Sequence, residues 1–157
     1  MAGANLGDAN LSGALLRQAD FESAFLMNAN FSNANMPEVF MRSVNAAKAN
    51  FSGVNTILAD MSNANFSGAN FTSATISANF TNSILAQANF ANADLDGSYF
   101  VNADLTYVSF ALAKLTNVDL TGANLTNADL TGADLTGAIL TNTILKNTKM
   151  PIGWTAP

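Results

Sequence analysis

Large apolar residues stand five positions apart along almost the whole chain, with small and polar residues between them. These central positions run through Leu6, Leu11, Leu16, Phe21, Leu26, Phe31, Met36, Met41, Ala46, Phe51, Thr56, Met61, Phe66, Phe71 and Ile76. One four-residue repeat falls at Ser77-Ala78; the centres resume at Phe80 and continue every five residues to Leu145, with Met150 as a last partial one. Two residues before each centre sits Ala, or else Val, Ser or Thr. Directly before it sits Asn or Asp in most repeats. A period of five fits neither an amphipathic helix nor a two-sided strand. If centre and small residue both face inward, the chain must bend once per repeat. Two residues after the centre, Gly or Asn is frequent, as at Gly53, Asn63, Gly68, Asn82, Gly122 and Asn127. Both tolerate the positive φ that a type II turn demands at its third position. Each repeat therefore predicts a short extended piece followed by one tight turn.

A second period sets the number of sides. Phe31, Phe51, Phe71, Phe90 and Phe110 recur at twenty residues, with one interval shortened by the slip. Four repeats per coil stack these rings in one column, about 4.8 Å apart, the spacing of paired strands. The preceding Asn30, Asn50, Asn70 and Asn89 recur in step, which predicts an amide ladder from coil to coil.

These recurrences, Ala4-Asn5-Leu6, Ala9-Asn10-Leu11, Ala123-Asn124-Leu125, Ala128-Asp129-Leu130 and Ala133-Asp134-Leu135 among them, resemble the A(D/N)LXX motif of the pentapeptide repeat family. The resemblance covers residues 4–150 and is closest to cyanobacterial members. Thr148-Lys149-Met150-Pro151-Ile152-Gly153 resembles the T-x-MP-x-G ending common among them. The resemblance implies an all-β fold, a right-handed quadrilateral β-helix of about seven and a half coils and a rod on the order of 35 Å long. Residues 151–157 form a separate tail. In it Trp154 is expected to cap the last coil and shield Leu145 and Met150.

Composition narrows the function. Cysteine and histidine are both absent. That removes thiol chemistry, the usual general base near neutral pH and the commonest metal ligand. The formal net charge is -5, and Arg17, Arg42, Lys48, Lys114, Lys146 and Lys149 form no patch. Such a chain is not expected to bind nucleic acid or an anionic membrane. No stretch is long and apolar enough to span a bilayer. Asp94 lies close to Asp96, and Asp129 and Asp134 sit one repeat apart; Asp94, Asp129 and Asp134 occupy the position where Asp and Asn interchange. They read as solvated turn residues, with Asp94, Lys114 and Asp134 stacked as a charge ladder. No catalytic, cofactor or metal residue is expected.

Departures from the repeat are the places for function. Pro37 follows the Met36 centre and predicts one lost coil-to-coil hydrogen bond. Thr56 replaces an apolar centre just before Ile57 and Leu58. Either the wall shifts locally or two apolar side chains reach the surface, and a shift is expected. The short repeat at Ser77-Ala78 is expected to be absorbed at one corner. The outward position before the centre is apolar at Leu15, Phe25, Phe40, Ile84, Tyr99, Ile139 and Ile144. All but Leu15 fall on two adjacent faces, where Met27 and Val101 join them. Clustered exposed apolar residues mark contact surfaces. Phe25, Met27, Phe40, Ile84, Tyr99 and Val101 are therefore the candidate protein-contact residues.

The functional expectation is a non-catalytic protein-interaction scaffold, a regulatory binding module with an unidentified protein partner. A bare N-terminal coil at Leu6 adds end-to-end self-association. The alternative that the resemblance implies is a DNA mimic that binds DNA gyrase, as in fluoroquinolone resistance. The short Pro/Gly-containing tail and the lack of long insertions weigh against it. The default compartment is the cytoplasm; removal of a signal peptide before residue 1 would imply the thylakoid lumen or the periplasm.

Overall fold

A computed structural model describes residues 1–155; Ala156 and Pro157, which end the expected tail, lie outside the described residues. Residues twenty apart are bridged in parallel along the chain, as in Asn10 to Asn30 and Asn30 to Asn50. After the slip the offset across it becomes nineteen, as in Asn70 to Asn89, and then returns to twenty. The chain is thus a four-walled coil. It is right-handed, the hand that parallel β connections adopt almost without exception. We number the walls by their first centres: wall one starts at Leu6, wall two at Leu11, wall three at Leu16 and wall four at Phe21.

One repeat shows how the backbone is satisfied. Phe31 N donates to Asn50 O of the next coil at 2.7 Å, and Asn33 N donates to Ser52 O at 2.8 Å. Asn30 N donates backwards to Ala9 O at 2.9 Å, and Ala34 N closes the turn on Phe31 O at 2.9 Å. The fifth amide, Ser32 N, points outward and donates to Asn30 Oδ1 at 3.0 Å. The same side-chain cap recurs at Asn50, Asn70, Asp104 and Asp119. This explains why Asn and Asp interchange before the centre: both carry an acceptor at the right reach, and an uncapped amide loses a bond.

Two expectations change on this scheme. Pro37 sits where Ser32 does, at the one amide that never joins the coil ladder. Its neighbours keep their bonds, Glu38 N to Ile57 O at 2.7 Å and Gln18 N to Pro37 O at 3.0 Å. No coil-to-coil bond is lost there, and proline's fixed φ suits the second turn position. The turn residue with positive φ is also not confined to Gly and Asn: Leu58, Tyr107 and Leu112 adopt φ of 58°, 58° and 59°. The ladder on both sides imposes the turn even on residues that disfavour it.

Centres and small residues fill the interior together. The wall-two rings stack with centroids 5.0, 4.8, 4.6 and 5.2 Å apart from Phe31 to Phe110. Phe80 and Phe100 stack on wall four at 4.9 Å and meet wall two edge-on, as in Phe80 against Phe90 at 6.0 Å. Offset stacks and edge-on pairs are the favoured aromatic geometries. The asparagine ladder runs through Asn10, Asn30, Asn50 and Asn70, with amide bonds of 3.3–3.4 Å. Asn89 is bridged to Asn70 through the backbone but makes no amide bond to it.

The corner between walls three and four departs from this plan. Here β1 (Asn55–Asp60) pairs in parallel with β2 (Thr75–Asn79). Ile57 pairs with Ser77 and Ala59 with Ala78, so Leu58 is an extra residue with no counterpart in the coil above. The short repeat is absorbed at this single corner, as expected. Thr56 is not displaced: it is fully buried at its centre position, while Ile57 and Leu58 are on the surface. The wall does not shift, because the flanking ladder holds Thr56 in register. Its buried Oγ1 has no hydrogen-bond partner. Thr56→Val keeps the shape and removes that orphan. It should raise stability by about 1–2 kcal/mol, read as a higher urea midpoint; a lower midpoint would show that the hydroxyl is satisfied.

Candidate functional site

The outward row before each centre is where fold and function part. At regular positions its side chain caps an amide. At Phe25, Phe40, Ile84 and Tyr99 it cannot, and no side-chain acceptor meets the amides of Met27, Arg42, Ala86 or Val101 among the described residues. Phe25 and Ile84 belong to the wall-one column, which runs Asn5, Phe25, Asn45, Asn65, Ile84, Asp104, Asn124, Ile144. Phe40 and Tyr99 belong to wall four, which runs Asp20, Phe40, Asp60, Asn79, Tyr99, Asp119, Ile139. The two walls share an edge.

Phe25, Met27, Phe40, Ile84 and Tyr99 are exposed, and Val101 is half-buried. They do not make one continuous stripe. Phe25, Met27 and Phe40 lie within one coil of one another, and Ile84, Tyr99 and Val101 form a second group higher on the rod. Asn45, Asn65, Asp60 and Asn79 intervene. Tyr107 and Leu112, exposed at positive-φ turn positions, were not singled out by the sequence. Testing the turn row for residues other than Gly and Asn would have found them.

The bulged corner opens a shallow cleft of about 300 Å³ on the wall-four side, lined by Leu58, Ala59, Asp60, Ser77, Ala78, Asn79 and Tyr99. Two breaks that look separate in the sequence, Thr56 to Leu58 and Ser77-Ala78, are therefore one place. A second cleft lies at the C-terminal end, where the half-buried Trp154 lies beside Ala133, Leu135 and Thr136. Trp154 shares this cleft with wall three, and Leu145 and Met150, the residues it is expected to cover, are not among its lining residues. At the other end Leu6, Leu11 and Leu16 are only partly buried.

Charged side chains are mostly paired across coils. Arg17 meets Glu38 at 2.8 Å, Arg42 meets Glu22 at 3.0 Å, and Lys149 meets Asp129 at 3.3 Å. Lys114 reaches Asp94 at 3.3 Å and Asp96 at 3.6 Å. Of the expected charge ladder only the Asp94–Lys114 rung is an ion pair; Asp134 is bridged to Lys114 through the backbone. The Asp129 carboxyl is held below its usual range chiefly by the Thr131 hydroxyl and amide, and Asp134 likewise by Thr136. Asp96 is lowered first by the Thr116 hydroxyl and then by the Asn117 amide, and Glu38 first by the Gln18 amide. A lowered folded-state pKa contributes stability above the unfolded value, which is lost as pH falls through the folded value. The melting temperature should thus be flat near neutrality and drop once pH falls below about 4. Melts across pH that improve on acidification would contradict this.

Among the described residues no group of three acidic, cysteine or histidine side chains is placed to hold a metal ion, and no helix is long and apolar enough to cross a membrane. The family model "Pentapeptide repeats" matches residues 1–33, 24–55, 47–77, 76–110 and 113–150, in 8 copies. QnrB1, a plasmid-mediated fluoroquinolone resistance protein, superposes with a TM-score of 0.72 at 17% identity, over 94% of this chain and 77% of that one. At that identity the likeness concerns the fold alone. HetL, a pentapeptide repeat protein involved in heterocyst differentiation regulation from the cyanobacterium Nostoc sp. strain PCC 7120, is 26% identical over 99% of this chain and 82% of its own, with a TM-score of 0.36. Rfr23 from the cyanobacterium Cyanothece 51142 is 29% identical over 77% and 86%, with a TM-score of 0.32. No curated protein matches the chain.

Proposed function

The chain belongs to the pentapeptide repeat family, and on that premise we propose that it is a non-catalytic scaffold that docks a partner protein on walls one and four. One observation carries this reading. At Phe25, Phe40, Ile84 and Tyr99 the chain gives up a capping side chain that its own fold uses elsewhere, and it does so on two adjoining walls. An exposed aromatic ring there adds nothing to the core. It does supply the kind of anchor that dominates protein interfaces. The uncapped amides of Met27 and Arg42 stand beside these rings as free donors for a partner's carbonyl or carboxylate. A rigid repeat rod suits such a role because its walls need little ordering on binding.

The DNA-mimic alternative draws less support. A mimic of duplex phosphates needs acids in continuous rows, whereas Asp94, Asp119, Asp104 and Asp129 stand on four different walls. Several acids are also neutralised by neighbouring cations.

Partner capture from the native organism tests the reading. Phe25→Asn and Phe40→Asn together should lower retention of a specifically captured protein by about tenfold or more, the scale of losing an aromatic anchor. Both variants keep the repeat pattern, so they should stay folded. Undiminished capture by the double variant would place the contact elsewhere.

A further inference from the structure

We propose that the cleft at the bulged corner is a preformed socket for one lysine side chain of a protein partner. This rests on the reading of wall four as a docking wall and deepens it. The cleft exists because the coil containing Ser77 is one residue short. Leu58 projects below it, 74% exposed. Gly97, two coils from Leu58 at the same corner, has open space where a side chain would stand. Tyr99 forms the side wall. The recess is built in: Ser98, fully buried, donates from Oγ to Ile76 O at 3.2 Å and accepts from Ala78 N at 3.2 Å. These two bonds stand where a turn would otherwise close, as the bonds of Ser83 to Met61 O and from Ala64 N do at a full-length repeat.

Size, polarity and charge specify the occupant. About 300 Å³ is the lower limit for small-molecule sites and suits one long side chain better than a cofactor. Leu58, Ala59 and Ala78 offer an apolar channel of the kind that covers an alkyl stem. The one charged residue in the lining is Asp60. Its Oδ1 accepts from Ser62 N and Oγ at 3.1 and 2.7 Å, and its Oδ2 has no partner among the described residues. Asp60, like Asp8, Asp20, Asp104, Asp119 and Asp134, forms no ion pair there, but of these it alone lines the cleft; its column neighbours Phe40 and Asn79 are neutral. An ammonium at the end of an alkyl stem satisfies that carboxylate and can also lie against the Tyr99 ring.

The test is a heteronuclear NMR titration of the full chain at fixed ionic strength. The probe is Nα-acetyl-lysine-N-methylamide, with the norleucine analogue as the same stem without charge and the arginine analogue as the other cation. The expected result is saturable shifts confined to the amides around Ala59, Ala78 and Tyr99, stronger for lysine than for norleucine. Asp60→Asn, which keeps the Ser62 cap, should weaken lysine about threefold to fivefold, the range of a half-exposed ion pair. Linear shifts spread over the acidic surface, or equal binding by Asp60→Asn, would overturn the proposal. Stronger binding of norleucine would overturn it in favour of an apolar residue, and stronger binding of arginine would overturn the choice of lysine. Because the titration does not involve Phe25 or Phe40, its failure leaves the docking reading to be judged by partner capture alone.

Discussion

Replacing Phe71 by alanine should lower the free energy of unfolding by about 3–5 kcal/mol, the largest effect expected of any single truncation in this chain. Phe71 stacks on Phe51 at 4.8 Å and on Phe90 at 4.6 Å, and it meets Phe66 and Phe80 edge-on at 5.7 and 6.0 Å. Removing the ring leaves a void lined by four others. In many folds neighbours collapse into such a space. Here the coils above and below are held at strand spacing by continuous backbone ladders, so the walls cannot close in. The loss should stand near the upper end of the range, read from urea unfolding followed by circular dichroism. A loss below about 1.5 kcal/mol, the scale of a minor core change, would mean that the column contributes little to packing.

Ser98→Ala should cost about 2–3 kcal/mol, although alanine is the usual residue at that position of the repeat. At Ala93 and Ala103, on either side, a methyl group fills the space and each turn closes on itself. At Ser98 the hydroxyl serves the short coil beneath: Ile76 O and Ala78 N both bond to it. Alanine would strand a buried carbonyl and a buried amide at once. Chemical denaturation should separate this substitution from a surface control such as Ser73→Ala, which is expected to be neutral. If Ser98→Ala is also neutral, the short coil closes by some other bond and the cleft is not fixed by Ser98.

Much of the rod could be read from spacing alone, for a physical reason. Each wall repeats the same inward demand every twenty residues, so Phe31, Phe51, Phe71, Phe90 and Phe110 announce their own column. What stayed hidden depends on hydrogen-bond geometry. The role of Asn and Asp before the centre is to cap an outward amide, and nothing in the spacing shows which amide points out. The same gap misplaced the effect of Pro37, which removes a donor that the ladder never uses. Positive φ at Tyr107 and Leu112 was also invisible, because the turn there is imposed by neighbouring coils against local preference.

The candidate surface was partly legible. All the apolar exceptions but Leu15, which is on wall three, stand on walls one and four as the spacing implied, and five of the six named contact residues are exposed. The cleft was not. Thr56 to Leu58 and Ser77-Ala78 looked like unrelated irregularities, although the twenty-residue count already sets Ile57 beside Ser77. What the count does not show is the bulge in the β1–β2 register, where Leu58 has no partner and the cleft opens.

The central claim is that the rings on walls one and four serve contact and not the fold. The most direct measurement is the melting temperature of the Phe25→Asn/Phe40→Asn double variant. Each asparagine can cap the amide two residues on, and at position 25 it extends the existing Asn45–Asn65 amide pair. The melting temperature should rise by about 3–6 °C, corresponding to roughly 0.5–1.5 kcal/mol per restored cap. A fall of similar size would show that the rings hold the rod together, and would contradict the claim.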